Sequence, residues 1–197
     1  IEPSTHREHH TMIKHAFIFT TISLILAIIP AATNSAAAQE STPRDYYEMR
    51  HYTFDTEAQL AGFHTYMKEA VIPAYNRIGV KTVGVFVPQK EDNALWVILV
   101  HPSPESFATA TSKLLSDKKY LKKGAAVLDA DLKNKPYISV ETTFMKSFEN
   151  IRTFEHPFTN EGRIFEVRIY KSPTVKTGQK KIEMFNNGEI DIMRRVG

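Results

Sequence analysis

Tyr47-Glu48-Met49-Arg50-His51-Tyr52 returns 118 residues later as Phe165-Glu166-Val167-Arg168-Ile169-Tyr170. The register then holds without a gap to Ile78-Gly79 and Val196-Gly197. Self-similarity at a fixed offset is a statement about architecture: one supersecondary unit occurs twice. The expectation is a duplicated unit whose second copy is cut short, at its first strand and helix.

The first copy reads as a complete unit over residues 46–145. Tyr46 to Thr53 alternates in character and is rich in aromatics, as strands are. Thr56-Glu57-Ala58-Gln59 has the form of a capping box, so a helix starts there. Its apolar face is expected to be Leu60, His64, Met67, Val71, Ala74/Tyr75 and Ile78. Pro73 predicts a kink or break near Ile72, and Gly79 a stop. Val80–Val87 and Ala94–His101 read as a hairpin of two strands, the second apolar enough to be central. Ser103-Pro104-Glu105 starts another helical region, divided near Asp117 and running to about Ala130. Tyr137–Met145 is the fourth strand. The order is strand, helix, strand, strand, helix, strand, the α+β ferredoxin-like βαββαβ arrangement. Helices cover one face of such a sheet, and the other face needs a cover of its own. In the second copy a strand over 163–170 and a helix from Pro173 to Arg195 are expected.

The start of the chain has a different character. Residues 1–11 are polar, carry His6, His9 and His10, and read as a leader outside the fold. From Met12, the basic pair Lys14 and His15 precedes an apolar run from Ala16 to about Ile29. Pro30 and then Ala36-Ala37-Ala38 follow, the pattern of a secretory signal with cleavage before Gln39. The run is shorter than the ~20 residues of a membrane span, so no stable span is expected after cleavage. The domain division is thus 1–11 leader, 12–38 signal peptide, 39–45 linker, 46–145 first domain, 146–162 linker and 163–197 start of the second. An exported protein, periplasmic or secreted, is expected. With no cysteine, disulfides, thiolate metal sites and a lipid anchor on cysteine are closed. The mature part holds 23 Lys+Arg and 20 Asp+Glu, too mild an excess for a nucleic-acid partner. Lys118, Lys119, Lys122 and Lys123 read as the solvated face of a helix.

The two aromatic-Glu-x-Arg-x-Tyr starts carry a resemblance. With them go the helix ending Arg77-Ile78-Gly79 and the stretch Lys181-Ile182-Glu183-Met184-Phe185-Asn186 leading to Arg195-Val196-Gly197. Together they resemble the NIPSNAP family of the dimeric α/β-barrel superfamily over most of 46–197. The resemblance implies a tandem ferredoxin-like fold and members described mainly as interaction proteins. The secretory signal departs from the family's mitochondrial members and points to an exported bacterial branch.

The repeat also sorts the faces of the first strand. Positions 47, 49 and 51 are Tyr, Met and His, and their counterparts 165, 167 and 169 are Phe, Val and Ile. That apolar side is expected under the helices. Glu48, Arg50 and Tyr52 recur identically as Glu166, Arg168 and Tyr170, and the period of two puts them on the opposite face. Together with Trp96, on the face of Ile98 and Val100, they are the candidate ligand-binding residues of an inner sheet face. Arginine's fork of donors suits an anionic or carbonyl-bearing ligand; the alternative is that each Glu–Arg pair satisfies only itself. His51 and His64 read as core histidines, and His101 as a residue at solvent or a pocket mouth. No metal spacing, Gly-rich loop or nucleophile elbow appears, so no metal or cofactor is expected, and Ser103–Ser106 reads as a helix cap. Two functions fit: a non-catalytic binding or protein-interaction module, possible as a homo-oligomer, for a partner protein or a small hydrophobic or anionic ligand; or, by fold analogy, a small-molecule enzyme of monooxygenase or isomerase type working in the cavity between sheets.

Overall fold

Strand β1 (Tyr46–Thr53) runs through the middle of a four-stranded antiparallel sheet of order β2-β3-β1-β4, with β2 at Thr82–Phe86, β3 at Ala94–His101 and β4 at Ser139–Lys146. The computed structural model describes residues 43–91, 93–155 and 164–196, all within one unit, Ser41–Gly197. The leader and signal-peptide expectations lie outside the described residues. Helix α1 (Glu57–Tyr66) and α2 (Ile72–Arg77) link β1 to β2; α3 (Pro104–Leu115) and α4 (Lys118–Leu128) link β3 to β4. This is the expected βαββαβ order, an α+β fold.

Local chemistry places each break. Thr56 Oγ1 accepts from the Gln59 backbone N–H and starts α1. The reciprocal bond differs from a full capping box: the Gln59 side chain accepts from Asp55, one residue further back. Pro73 has no N–H to give the Glu69 carbonyl. The helix responds by widening over Met67–Val71 into a π segment, where the Ile72 N–H reaches Met67 O, five residues back. Asp117 ends α3 and caps α4 by accepting from the Lys119 and Tyr120 N–H groups.

The core lies between the helices and one face of the sheet. Tyr52, Leu95, Val97 and Leu99 from the strands meet Phe63, Met67, Ala70, Ala74, Tyr75, Leu114 and Tyr120 from the helices. Phe63, rather than His64, takes the centre of the α1 face, and its ring lies 4.6 Å from that of Tyr52.

The register corrects the expected faces of β1. Glu48 pairs with Leu99, Arg50 with Val97 and Tyr52 with Leu95, so the charged and phenolic residues share the helix-covered side with the core. Tyr47, Met49 and His51 pair with Val100, Ile98 and Trp96 on the side that no helix of the βαββαβ unit covers. Apolar character misleads here because both faces of this sheet carry it. A Glu–Arg pair sits under the helices only because neighbouring groups satisfy it.

The second-copy region is half as expected. No strand forms over 164–170; these residues are exposed and have no ladder partner among the described residues. Strand geometry persists only where N–H and C=O groups find a neighbour. The helical part does form, and it is divided at the same offset of 118: α5 (Val175–Met184), a kinked segment (Phe185–Glu189) and α6 (Ile190–Val196). Thr174 caps α5 as Thr56 caps α1, and the Ile190 N–H reaches Phe185 O as Ile72 reaches Met67. Asn186 holds this segment to the loop after β4, accepting from the Glu149 N–H at 2.8 Å.

Leu95 is fully buried and Leu132 is 86% exposed. Leu95→Ala is expected to lower the unfolding free energy by about 2–5 kcal/mol. Leu132→Ala should change it by less than about 0.5 kcal/mol. Urea denaturation of both variants checks this, and equal losses would contradict the described core.

Candidate functional site

The period-two geometry of β1 aims Glu48, Arg50 and Tyr52 into the layer beneath α2 and α3. Glu48 is 2% exposed, so its charge needs partners. It has two. Arg50 Nε donates to one carboxylate oxygen at 2.6 Å, and the other lies 3.0 Å from His101 Nε2. His101 closes β3 on the same face as Leu95, Val97 and Leu99, and it is fully buried. Its other ring nitrogen, Nδ1, lies 3.1 Å from Ser106 Oγ in the first turn of α3. Arg50 Nη2 donates to the Tyr75 hydroxyl at 2.5 Å, and Nη1 makes a long contact of 3.4 Å to the Tyr52 hydroxyl. One connected set of polar groups therefore ties β1 to β3, α2 and α3.

The electrostatics follow from these contacts. Burial pushes the Glu48 carboxyl up, but His101 and Arg50 outweigh it and hold its pKa below the ordinary value. Burial raises the Tyr52 hydroxyl, and pushes Tyr75 up to about 12 against the opposing pull of Arg50. At neutral pH the set holds an ionised Glu48, a cationic Arg50 and neutral tyrosines.

A cavity of about 430 Å³ opens over this set. Its floor is Glu48, Arg50 and Tyr52; Phe107 and Ala110 of α3 form one wall, and Thr142 of β4 belongs to the other. Arg50 carries five N–H groups. Three are used on Glu48, Tyr75 and Tyr52, which leaves two without a partner among the described residues, and its side chain is 23% exposed. A larger hollow of about 840 Å³ beside Leu128, Leu132 and Ile138 has no comparable buried polar floor. Among the described residues no group of three or more His, Asp or Glu side chains is placed to hold a metal.

The seven candidate residues from sequence thus separate. Glu48, Arg50 and Tyr52 come together at the pocket floor, on the helix side of the sheet rather than the expected inner face. Trp96 lies on the opposite side, stacked on His51 with ring centres 4.2 Å apart. Glu166 and Arg168 pair with each other at 2.8 Å in solvent, and Tyr170 packs against Phe185. Sequence reading missed Ser106 and Phe107 as site residues, and His101, expected at solvent or a pocket mouth, is fully buried beside the pocket floor. The signal for His101 was its parity: it continues the odd-numbered, helix-facing side of β3. Tyr75 was legible as part of the helix core face, without its tie to Arg50.

Removing the Glu48 charge would strand Arg50. Glu48→Gln is expected to destabilise the fold by about 3–5 kcal/mol. Because folding depresses the Glu48 pKa, its stabilising contribution is present above the unfolded value of about 4.3 and is lost as pH falls through the lower folded value. The acid limb of stability against pH should therefore flatten in Glu48→Gln. Urea midpoints between about pH 2.5 and 7 measure this; an unchanged acid limb would place the sensitivity elsewhere.

No family model and no curated protein matches the sequence. Among solved structures, its neighbours include a NIPSNAP family protein of unknown function from Agrobacterium tumefaciens strain C58, 17% identical, covering 54% of this chain and 91% of that one with a TM-score of 0.44. A dimeric ferredoxin-like protein from an uncultured marine organism is 11% identical, covers 54% and 90%, and has a TM-score of 0.41. A mutant form of SnoaB, a cofactor-independent oxygenase from Streptomyces nogalater, is 14% identical, covers 62% and 99%, and has a TM-score of 0.36.

Proposed function

We propose that this chain is an exported, NIPSNAP-like, non-catalytic binding protein. Its pocket takes a small molecule with an apolar body and one oxygen acceptor. The observation that carries the reading is Arg50: a guanidinium whose charge is balanced by Glu48, with two N–H groups left at the floor of a 430 Å³ cavity. Pockets that hold small molecules combine apolar walls with a few placed polar groups. Here the walls are Phe107 and Ala110, and the placed groups are Arg50, Tyr52 and Thr142. Since the floor is already balanced, a carbonyl oxygen adds no uncompensated charge.

Binding suits the lining groups better than turnover. General acid–base catalysis works best with a group that titrates near the operating pH. Glu48 is held ionised and Tyr52 protonated, so neither lining group is poised there. The sequence from Met12 to Gln39 supports export. Among the described residues no helix is long and apolar enough to cross a membrane.

Acetophenone is a fitting probe, with a ring for Phe107 and a carbonyl for Arg50. Calorimetric titration should detect binding that Arg50→Gln weakens by about tenfold or more, the worth of a hydrogen bond to a charged donor. Equal affinity in wild type and Arg50→Gln would reject the site. For export, expression in a bacterial host from Met12 should give a secreted or periplasmic product beginning at Gln39 by mass spectrometry; retention of the uncleaved form in the cytoplasm would reject it.

A further inference from the structure

Binding through Arg50 makes no use of His101 and Ser106, although both are joined to the pocket floor. We propose that His101 is a proton acceptor that lets the pocket take a carboxylate as well as a neutral carbonyl compound, a step that rests on the pocket reading above. Charge sets the requirement. Glu48 and Arg50 already balance, so a bound carboxylate would leave one negative charge uncompensated in a partly desolvated space. One proton taken up with the ligand restores the balance.

Two atoms compete for that proton. On Glu48 it would remove the charge that strengthens both of its bonds, one oxygen accepting from Arg50 Nε and the other from His101 Nε2, and would leave Arg50 unbalanced within the protein. On His101 Nδ1 it displaces nothing. With His101 neutral, Nε2–H donates to Glu48 and Nδ1 accepts from the Ser106 hydroxyl. With His101 protonated, both nitrogens donate, and the Ser106 hydroxyl turns to accept. A hydroxyl can play both roles, whereas a backbone carbonyl in its place would only accept and a backbone N–H would only donate. Ser106 is half-buried, so its own hydrogen can turn toward solvent. The chain Glu48–His101–Ser106 therefore changes its proton count without orphaning a buried polar atom.

The surroundings of His101 fit this role. Glu48 of β1 faces Nε2, and Ser106 of α3 faces Nδ1. The Tyr75 ring of α2 stands edge-on at 6.4 Å and the Phe107 ring of α3 at 5.7 Å. Among the described residues the charged group in direct contact is the Glu48 carboxylate, which favours an added proton; Arg50, which opposes it, lies behind that carboxylate and would itself be engaged by the ligand. The proton comes from solvent, the carboxylate stays intact, and no covalent bond of the ligand changes.

The test is calorimetry on the full chain with sodium benzoate and, separately, acetophenone, in phosphate and in Tris at one pH. Benzoate heats should differ between the buffers by the ionisation heat of about one proton taken up per ligand, and acetophenone heats should not differ. Benzoate affinity should rise by up to about tenfold per unit fall in pH. The His101 ring ¹⁵N signals should move toward the doubly protonated pattern with benzoate and not with acetophenone. Ser106→Ala should lose more affinity for benzoate than for acetophenone. Benzoate binding without buffer dependence, an unchanged His101 signal, equal losses in Ser106→Ala, or acetophenone binding with no benzoate binding would each overturn the proposal and leave the pocket standing. Failure of both compounds to bind would overturn the pocket reading as well.

Discussion

The Glu48 carboxylate, shared between Arg50 and His101, is the interaction on which the rest of this fold's polar interior depends. A carboxylate this deeply buried persists only if both oxygens are satisfied. Arg50 and His101 do that, and each is then held by a second element, Arg50 by Tyr75 of α2 and His101 by Ser106 of α3. The network fixes where the two helical regions sit over the sheet. It also leaves Arg50 partly uncovered at the base of a cavity whose floor holds the buried Glu48 carboxylate. The proposed binding floor and the packing of β1 on β3, α2 and α3 rest on the same four contacts.

The element order was legible in the sequence because each boundary has its own chemistry. Thr56, Pro73, Ser103 and Asp117 act through caps and missing N–H groups that are local and do not depend on the fold. β3 matched its expected bounds for a similar reason: an unbroken apolar run between a turn and Pro102 has one place to go. The faces of β1 were not legible. Tyr47, Met49 and His51 look like the core side, and Glu48, Arg50 and Tyr52 like the other. Their true placement depends on His101 and Tyr75, far along the chain from Glu48, and period-two patterning carries no information about such partners. The equivalence of Glu48–Arg50 and Glu166–Arg168 misled in the same way. Both pairs form, one buried in a network and one in solvent, because two residues apart on one side is sufficient for pairing and says nothing of burial.

The helical regions after Thr56 and Thr174 are interrupted at the same offset in sequence. A π segment occupies Met67–Val71; 118 residues on, Phe185–Glu189 is a kink between α5 and α6. In the first, Pro73 removes a donor. In the second no proline is present; Asn187 and Gly188 leave helical geometry, with Gly188 at φ 154°, a region open to glycine. The helix is interrupted at the same place by different residues and in different ways, and Met67 and Phe185, which open the two segments, are both buried.

Binding through Arg50 requires that the ligand enter on the helix-covered side of the sheet. Heteronuclear NMR of the labelled protein titrated with acetophenone decides it directly. Shifts concentrated on the Arg50 Nε–H, Ala110, Thr111 and Thr142 are the expected result, with the Trp96 indole N–H unmoved. Shifts centred on Trp96, His51 and Ile98, with Arg50 unchanged, would contradict it and return the binding surface to the opposite face.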